Sequence, residues 1–326
     1  MPTLQELEAL CAIVSNGFSI SAAASALRRS QPTLSRQVQQ VERDLGAQVF
    51  TRTRNRVVGL TPTGREIIRV SQRIVLESET LPRIASGEAL DGAAELKIAT
   101  THLSARYSLP RVLKNFATRF PEVMLTLRQG HFRQCCQLVA AGEADLSINS
   151  LIEEIGDEFV AIPAYTLQRC VVVARDHPLA RDKTLTLKKV AQYPLIAYSS
   201  PFSARAIVDG AFARAGLKPQ IVCSAIDADV CKKYVEVGLG IAVLAHIAVN
   251  ARHDPGLVAK KADHLFQPAT VNVIMRKFSY LSRHAREFIS LYAPHIDAAL
   301  IQRAVDGAPI DRLSLGRKAP IAPCPP

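Results

Sequence analysis

Apolar residues recur at helical spacing through the first part of the chain and then, from Glu95 onward, in short runs that alternate with helical segments. In residues 4–15, Leu4, Leu7, Leu10 and Val14 fall on one face of a predicted helix, which Asn16-Gly17 stops. Ser19 or Ser21 can cap a second, Ala-rich helix ending near Leu27, whose small residues suit close approach to a neighbour. Ser30 is placed to cap a third helix. Pro32 sits in its first turn, where a missing N–H costs nothing, and Gly46 closes it after Leu45. Leu34, Val38, Val41 and Leu45 form the expected buried stripe of this helix. Its opposite face carries Pro32, Arg36, Gln39 and Arg43, with Thr33 and Ser35 near the leading end.

Residues 49–64 (VFTRTRNRVVGLTPTG) read as a short hairpin turning at Arg54-Asn55-Arg56. A long helix follows over 62–86, with Ile67, Ile68, Ile74, Val75 and Leu81 as apolar positions, and Pro82 is expected to kink or end it. Such a helix cannot bury its stripe alone, so pairing with a second copy is expected. After a linker at 87–93, strands and helices alternate. ELKIAT, VMLTLRQ and ADLSIN make one set, separated by helices at 104–119 and 131–141. RCVVVA, PLIAY, PQIVCSA and GIAVLA make a second set, with helices at 203–215 and 227–236. A strand at 271–275 and a helix at 282–300 complete the pattern. This rhythm implies largely parallel sheets in two α/β lobes with a cleft between them. The expected fold class is therefore an α+β multidomain chain. Its parts are a winged helix-turn-helix over 1–61, a linker helix over 62–92, and a two-lobed α/β domain over 93–302 whose second lobe spans about 165–267. The Pro- and Ala-rich stretch 303–326 is expected to be disordered.

Composition narrows the partners. The 326 residues carry a net charge of +11, which favours polyanions. Residues 1–70 hold nine Arg, no Lys and five acids. Arg presents the planar fork that suits phosphate and guanine. No run of about 18 apolar residues occurs, so no membrane span is expected. The start MPTLQELEAL lacks the basic and apolar parts of a signal peptide, and a cytoplasmic location is expected. Seven Cys at 11, 135, 136, 170, 223, 231 and 324 show no C-x-x-C and no zinc spacing. They read as free thiols, with Cys135-Cys136 a candidate redox pair. No metal or cofactor is expected. Catalysis is disfavoured because no Ser/His/Asp order, G-x-S-x-G or metal cluster occurs.

A helix of this length fits the major groove when a preceding helix braces it across the backbone. Ser30, Gln31, Pro32, Thr33, Ser35, Arg36 and Gln39 sit where base and phosphate contacts form. Arg36 is the candidate for a forked contact to guanine, and Gln31 for adenine. Arg52, Arg54 and Arg56 in the wing can flank the minor groove, and Thr61 and Thr63 can meet phosphate. The alternative is a small bundle with a solvated polar face. The stretch SISAAASALRRSQPTLSRQVQQVERDLGAQVFTRTRNRVVGLTPTG resembles the signature of LysR-type transcriptional regulators. That resemblance implies double-stranded promoter DNA as partner, a dimerising linker helix, a periplasmic-binding-protein-like effector domain, and homodimers assembling into homotetramers. RNA polymerase is a further candidate partner.

In the second part, Thr100 and Thr101 end a strand that leads through His102 and Leu103 to a helix start near Ser104. The same arrangement recurs at Tyr198 to Ser203, with Ser200 and Phe202 in the turn, and Asn149-Ser150 end a third strand. Hydroxyls, an amide and helix N-termini beyond strand ends can cradle an anion; separately, each hydroxyl can merely cap its helix. The segments ATTHLSARYSLP, GEADLSI, RCVVVARDHPLA, AQYPLIAY and DADVCKKYVEVGLGIAVLA resemble the CysB/Cbl-type subgroup, regulators of sulfur assimilation and sulfonate use. The resemblance places pocket positions at Thr101, Leu103, Ser104, Ser150 and Ser203, and implies sulfate, an acetylserine or a sulfonate as effector. Thr101 keeps the subgroup's residue; Ser150 and Ser203 stand for Thr, Leu103 for Thr and Ser104 for Gln. The alternatives are a LysR-type regulator of aromatic or organic acid catabolism, and a solute-binding protein.

Overall fold

The computed structural model describes residues 1–322 except 55, 86–94, 152–153, 201, 312–314 and 317–318. The chain divides into two compact units with the boundary at Asp91/Gly92.

The first unit opens with α1 (Leu4–Ser15), α2 (Ile20–Ala26) and α3 (Gln31–Leu45). Polar residues start each helix. The Glu6 carboxylate accepts from Thr3 N–H at 2.7 Å, Ser19 accepts from Ala22 N–H at 3.3 Å, and Ser30 accepts from Thr33 N–H at 3.3 Å. Gly46, at φ +63°, ends α3 in the left-handed region that spares only glycine a steric penalty. The core joins Leu7, Leu10 and Ile13 of α1 to Ala23 and Ala24 of α2 and Leu34, Val38 and Val41 of α3. Two expected stripe residues are exposed, Leu4 at 39% and Leu45 at 43%, and Val14 is half-buried. Ile13 takes the place on α1, and Glu42 takes it on α3 at 5% exposed.

The hairpin pairs β1 (Phe50–Thr53) with β2 (Arg56–Leu60), Phe50 opposite Leu60, with a bulge between Thr51 and Arg52. Then α4 runs over Pro62–Ala85. Pro82 does not terminate it at once; the helix continues to Ala85, less than one further turn. Gly64, in the first turn of α4, packs so near the hairpin that an added Cβ would collide with the Val49 carbonyl.

The second unit holds two five-stranded sheets. In lobe I, β3 (Glu95–Thr100) lies parallel to β4 (Met124–Gln129) and to β5 (Leu146–Ser150). Next to β5 comes β12 (Ala269–Arg276), antiparallel, and then the edge strand β6 (Phe159–Leu167). In lobe II the order is β11-β7-β10-β8-β9, with β7 (Arg169–Ala174), β8 (Leu195–Tyr198), β9 (Ile221–Ala225), β10 (Ile241–Ala245) and β11 (Leu257–Lys261). The chain crosses between lobes twice, from β6 to β7 through Gln168 and from β11 to β12. A five-residue π-helical turn (Ser104–Ser108) follows β3 and runs into α5 (Leu109–Arg119); α6 (Phe132–Ala140) precedes β5. In lobe II, α7 (Ser203–Arg214) follows β8 and α8 (Ala228–Glu236) follows β9.

Four expectations need correction. The sheets are not largely parallel: half of the pairings in the second unit are antiparallel, because β7 and β12, the first strands after each lobe crossing, run against their neighbours. FVAIPAYTL carries no strand expectation in the sequence pattern, yet it forms β6. Pro163 is tolerated because β6 is an edge strand and the ladder to β12 shifts register nearby, between Val271 and Asn272. The single helix expected over 282–300 is two, α9 (Arg283–Tyr292) and α10 (Ala298–Val305), parted at Pro294 and restarted by Asp297, which accepts from Leu300 N–H at 2.6 Å. The stretch from 303 onward is not a disordered tail in its described residues. Val305 still belongs to α10, and Thr166 of β6 donates to Pro320 O at 2.8 Å and accepts from Ala322 N–H at 2.9 Å. The open hydrogen-bonding edge of β6 supplies the reason, since an unpaired strand edge binds any extended segment that reaches it.

Gly64→Ala is expected to destabilise the first unit by about 1–3 kcal/mol through overpacking against Val49. Gly59→Ala, where nothing lies within 4 Å, should stay within about 0.5 kcal/mol of the parent in urea unfolding.

Candidate DNA-binding surface and effector cavity

The N-terminal end of α3 is open to solvent. Gln31, Pro32, Thr33, Arg36 and Gln39 are exposed, and Ser35 is half-buried. Ser30 is spent partly on structure: it caps the helix, and its hydroxyl lies 2.8 Å from that of Thr33. The side chains of Arg36, Arg54 and Arg56 are exposed and form no ion pair or hydrogen bond with a described residue. Arg54 stands at the hairpin tip with φ +47°, and its neighbour Asn55 lies outside the described residues.

Two wing candidates are committed elsewhere. Arg52 pairs with Glu42 at 2.9 Å and donates to Gln48 at 3.4 Å. The Thr61 hydroxyl donates to Gln48 O at 2.6 Å and accepts from Gly64 N–H at 2.8 Å, so it caps α4 rather than presenting to phosphate. Thr63 is exposed. Sequence reasoning missed Glu42. Its Oε1 accepts from Val49 N–H at 2.9 Å and Phe50 N–H at 3.2 Å, which binds the root of the wing to α3. The available signal was a carboxylate one turn beyond Val38 and beside Val41, on the expected apolar stripe.

In the second unit, a cavity of about 40 Å³ lies between the lobes. At roughly 10–15 Å³ per water, that is the scale of a small oxyanion. Thr101, His102, Leu103, Ser104, Ser150, Phe202 and Ser203, expected from the sequence, all line it. Thr101 accepts from Ser104 N–H at 3.4 Å, and Ser203 opens the first turn of α7.

Three expected residues do not line it. The Thr100 hydroxyl is fully buried and donates to Ile148 O at 2.9 Å across the sheet. Asn149 points to the other face of β5 from Ser150, as strand alternation requires, and donates to Ser147 at 3.3 Å. Ser200 is exposed on the turn. The residues missed are Leu167, Arg169, Tyr198, Ala204, Ile226 and Val271. They arrive from the lobe crossing, from strands β8 and β12, and from beside β9 and α7.

Beside the cavity, polar groups join the lobes. Tyr107 donates to Asp229 at 2.6 Å, and Arg106 pairs with Asp229 at 3.0 Å. Asp229 also meets Lys232 at 3.1 Å. Asp229, in the first turn of α8, therefore spans to lobe I, while Asp227 caps that helix by accepting from Val230 N–H at 2.8 Å. Arg205 pairs with Asp209 at 2.6 Å and donates to Tyr198 O at 3.2 Å. Cys135 is buried, and burial pushes its thiol up to about 12, which removes the thiolate a redox sensor needs.

The chain matches the bacterial regulatory helix-turn-helix protein, lysR family, over residues 4–65 and the LysR substrate binding domain over residues 91–297. It belongs to the LysR family of transcriptional regulators. The HTH-type transcriptional regulator SsuR of Burkholderia cenocepacia is 39% identical over 297 residues, covering 91% of this chain and 96% of that protein. CysB of the same organism is 40% identical, covering 90% and 94%. The regulator cbl of Escherichia coli is 34% identical, covering 92% and 95%. Among solved structures, the cofactor-binding domain of the Cbl regulator is 37% identical with a TM-score of 0.63, covering 67% of this chain and 95% of that one. A full-length OxyR variant from Pseudomonas aeruginosa, at 20% identity and a TM-score of 0.69, covers 94% of this chain and 96% of that one and shares the fold. The chain is thus a CysB/Cbl-like LysR regulator that binds DNA, takes a small-molecule effector and forms oligomers, and is not an enzyme. No described helix of this LysR regulator is long and apolar enough to cross a membrane.

Glu42→Ala leaves two buried N–H groups and Arg52 without their acceptor. It is expected to cost about 1–3 kcal/mol in urea unfolding, with Glu42→Gln milder because one acceptor oxygen remains. Thiol alkylation at pH 8 with peptide mapping should leave Cys135 unmodified in the folded protein while Cys135 reacts in urea.

Proposed function

We propose that this LysR regulator acts in the cytoplasm as a homotetramer on promoter DNA, and that a small anion bound between its lobes controls sulfur assimilation or sulfonate utilisation genes. The observation that carries the DNA reading is the free leading end of α3. Gln31 and Arg36 stand open there, and the Arg54 and Arg56 side chains of the wing are free of described protein partners. Ser30, Pro32, Thr33, Ser35 and Gln39 would position that end, with Thr63 on phosphate. The pairing of copies is supported by α4, where Val70, Ile74 and Leu81 are 40%, 44% and 65% exposed. RNA polymerase is the further partner of such an assembly.

The sulfur assignment rests on the CysB/Cbl resemblance and on the cavity hydroxyls of Thr101, Ser104, Ser150 and Ser203. A second reading, an organic carboxylate of another pathway, is favoured by the apolar wall of Leu103, Leu167, Phe202, Ile226 and Val271. An alkanesulfonate satisfies both features, with the oxyanion on the hydroxyls and a short apolar part on the wall.

Arg36→Ala is expected to weaken binding to a selected operator by about 1–3 kcal/mol while changing random-duplex binding much less. Fluorescence anisotropy across a salt series checks this. An equal loss on all sequences would reassign Arg36 to phosphate, and an affinity flat with salt would overturn the DNA role.

A further inference from the structure

Arg169 is 2% exposed, at the first position of β7, one residue past the crossing from lobe I. Its side chain lines the cavity. That side chain forms no ion pair or hydrogen bond with a described residue, and its buried Nε has no partner. No Asp or Glu lines the cavity among the described residues; the other polar groups there are Thr101, His102, Ser104, Ser150, Tyr198 and Ser203. A guanidinium keeps its proton in proteins, so this is a fixed charge buried without a counter-charge among the described residues, an arrangement that structures rarely retain unless something completes it.

The surroundings reinforce that charge. The twelve-residue helix α7 begins at the cavity with Ser203 and Ala204, and its N-cap, Phe202, offers no side-chain acceptor. Its first N–H groups thus add partial positive charge on the same space. Burial keeps the Tyr198 phenol protonated, far above its usual range, so Tyr198 cannot neutralise Arg169. Burial likewise pulls the Arg169 guanidinium downward, a penalty that a bound anion removes.

We propose that Arg169 supplies the counter-charge of the effector, making the cavity selective for fully ionised oxyanions such as sulfate or a sulfonate, with the neutral hydroxyls only orienting them. This rests on the reading of the cavity as the effector site. The forked guanidinium and the tetrahedral oxyanion are complementary, since two parallel N–H groups meet two oxygens.

The test uses the full-length protein, with calorimetry of sodium sulfate and of dimethyl sulfone, an uncharged molecule of similar shape. The parent protein is expected to bind sulfate and to prefer it strongly over the sulfone. Arg169→Met should weaken sulfate binding about 30-fold or more and collapse that preference, and Arg169→Lys, which keeps the charge but not the fork, should fall between. A purely structural role would instead lower the melting temperature of Arg169→Met without ligand. Removing an unpaired buried charge should leave that temperature unchanged or higher, and sulfate should no longer raise it. If Arg169→Met binds sulfate as the parent does, while a blocking Ser203→Phe abolishes binding, the cavity reading stands and the role of Arg169 is overturned. If the parent takes up neither sulfate nor methanesulfonate, both fall together. Should Arg169→Met not fold, Arg169→Gln replaces it, with the same outcomes.

Discussion

Two crossings of the chain between the sheets of the second unit set everything that its cavity can be. Because β6 hands over to β7 through the single residue Gln168, and β11 hands back to β12, the sheet of lobe I is completed only after the chain has passed through lobe II. The carboxyl ends of the parallel strands β3, β5 and β8 therefore face one space. The antiparallel strand β7 starts at that same end, with Arg169 opposite Ala245 of β10. Loops and helix starts collect where the strands stop, which is why ligands of open α/β sheets sit there. A hydroxyl placed one residue away loses the site, because strand alternation sends it to the far face. Ser150 lines the cavity, and its neighbour Asn149 serves the interior.

The first unit depends on a comparable local constraint. A recognition helix is useful only if its wing holds a fixed place beside it. One buried carboxylate, Glu42, meets that need by accepting from two backbone N–H groups of the hairpin root and from Arg52. A charge-assisted bond to a buried N–H is among the stronger polar contacts available. The arrangement also divides the arginines of the wing. Arg52 holds the structure, while Arg54 and Arg56 are left to the solvent side where a polyanion would lie.

Polar groups serve opposite ends in the two units. At the leading end of α3 and on the wing the charges of Arg36, Arg54 and Arg56 are exposed, as suits a partner whose binding releases counterions. In the cavity the guanidinium is buried, and the remaining polar groups are hydroxyls, the His102 ring and helix N–H groups. On the proposed role of Arg169, such a site would discriminate by charge, and its small volume by size.

Much of this was legible in the residues themselves. Caps at Ser19 and Ser30, the stop at Gly46, the Arg-bearing hairpin and the alternation of strands and helices after Glu95 are local signals, set by backbone hydrogen bonding and side-chain period. The hydroxyls of Thr101, Ser104, Ser150 and Ser203 were legible because each follows a recognisable strand or starts a helix. Other features were decided by neighbours far away in sequence. Pro163 could occupy a strand only because tertiary order placed β6 at an edge, and the C-terminal stretch found order only because that edge stood open. Thr61 and Arg52 look like contacts for phosphate until their partners, Gln48 and Glu42, are brought beside them. Arg169 reads as one more charge at the start of an apolar strand. Only the crossing of the lobes buries it at the wall of a cavity, with no counter-charge among the described residues, because burial and pairing are properties of the assembled fold rather than of a residue.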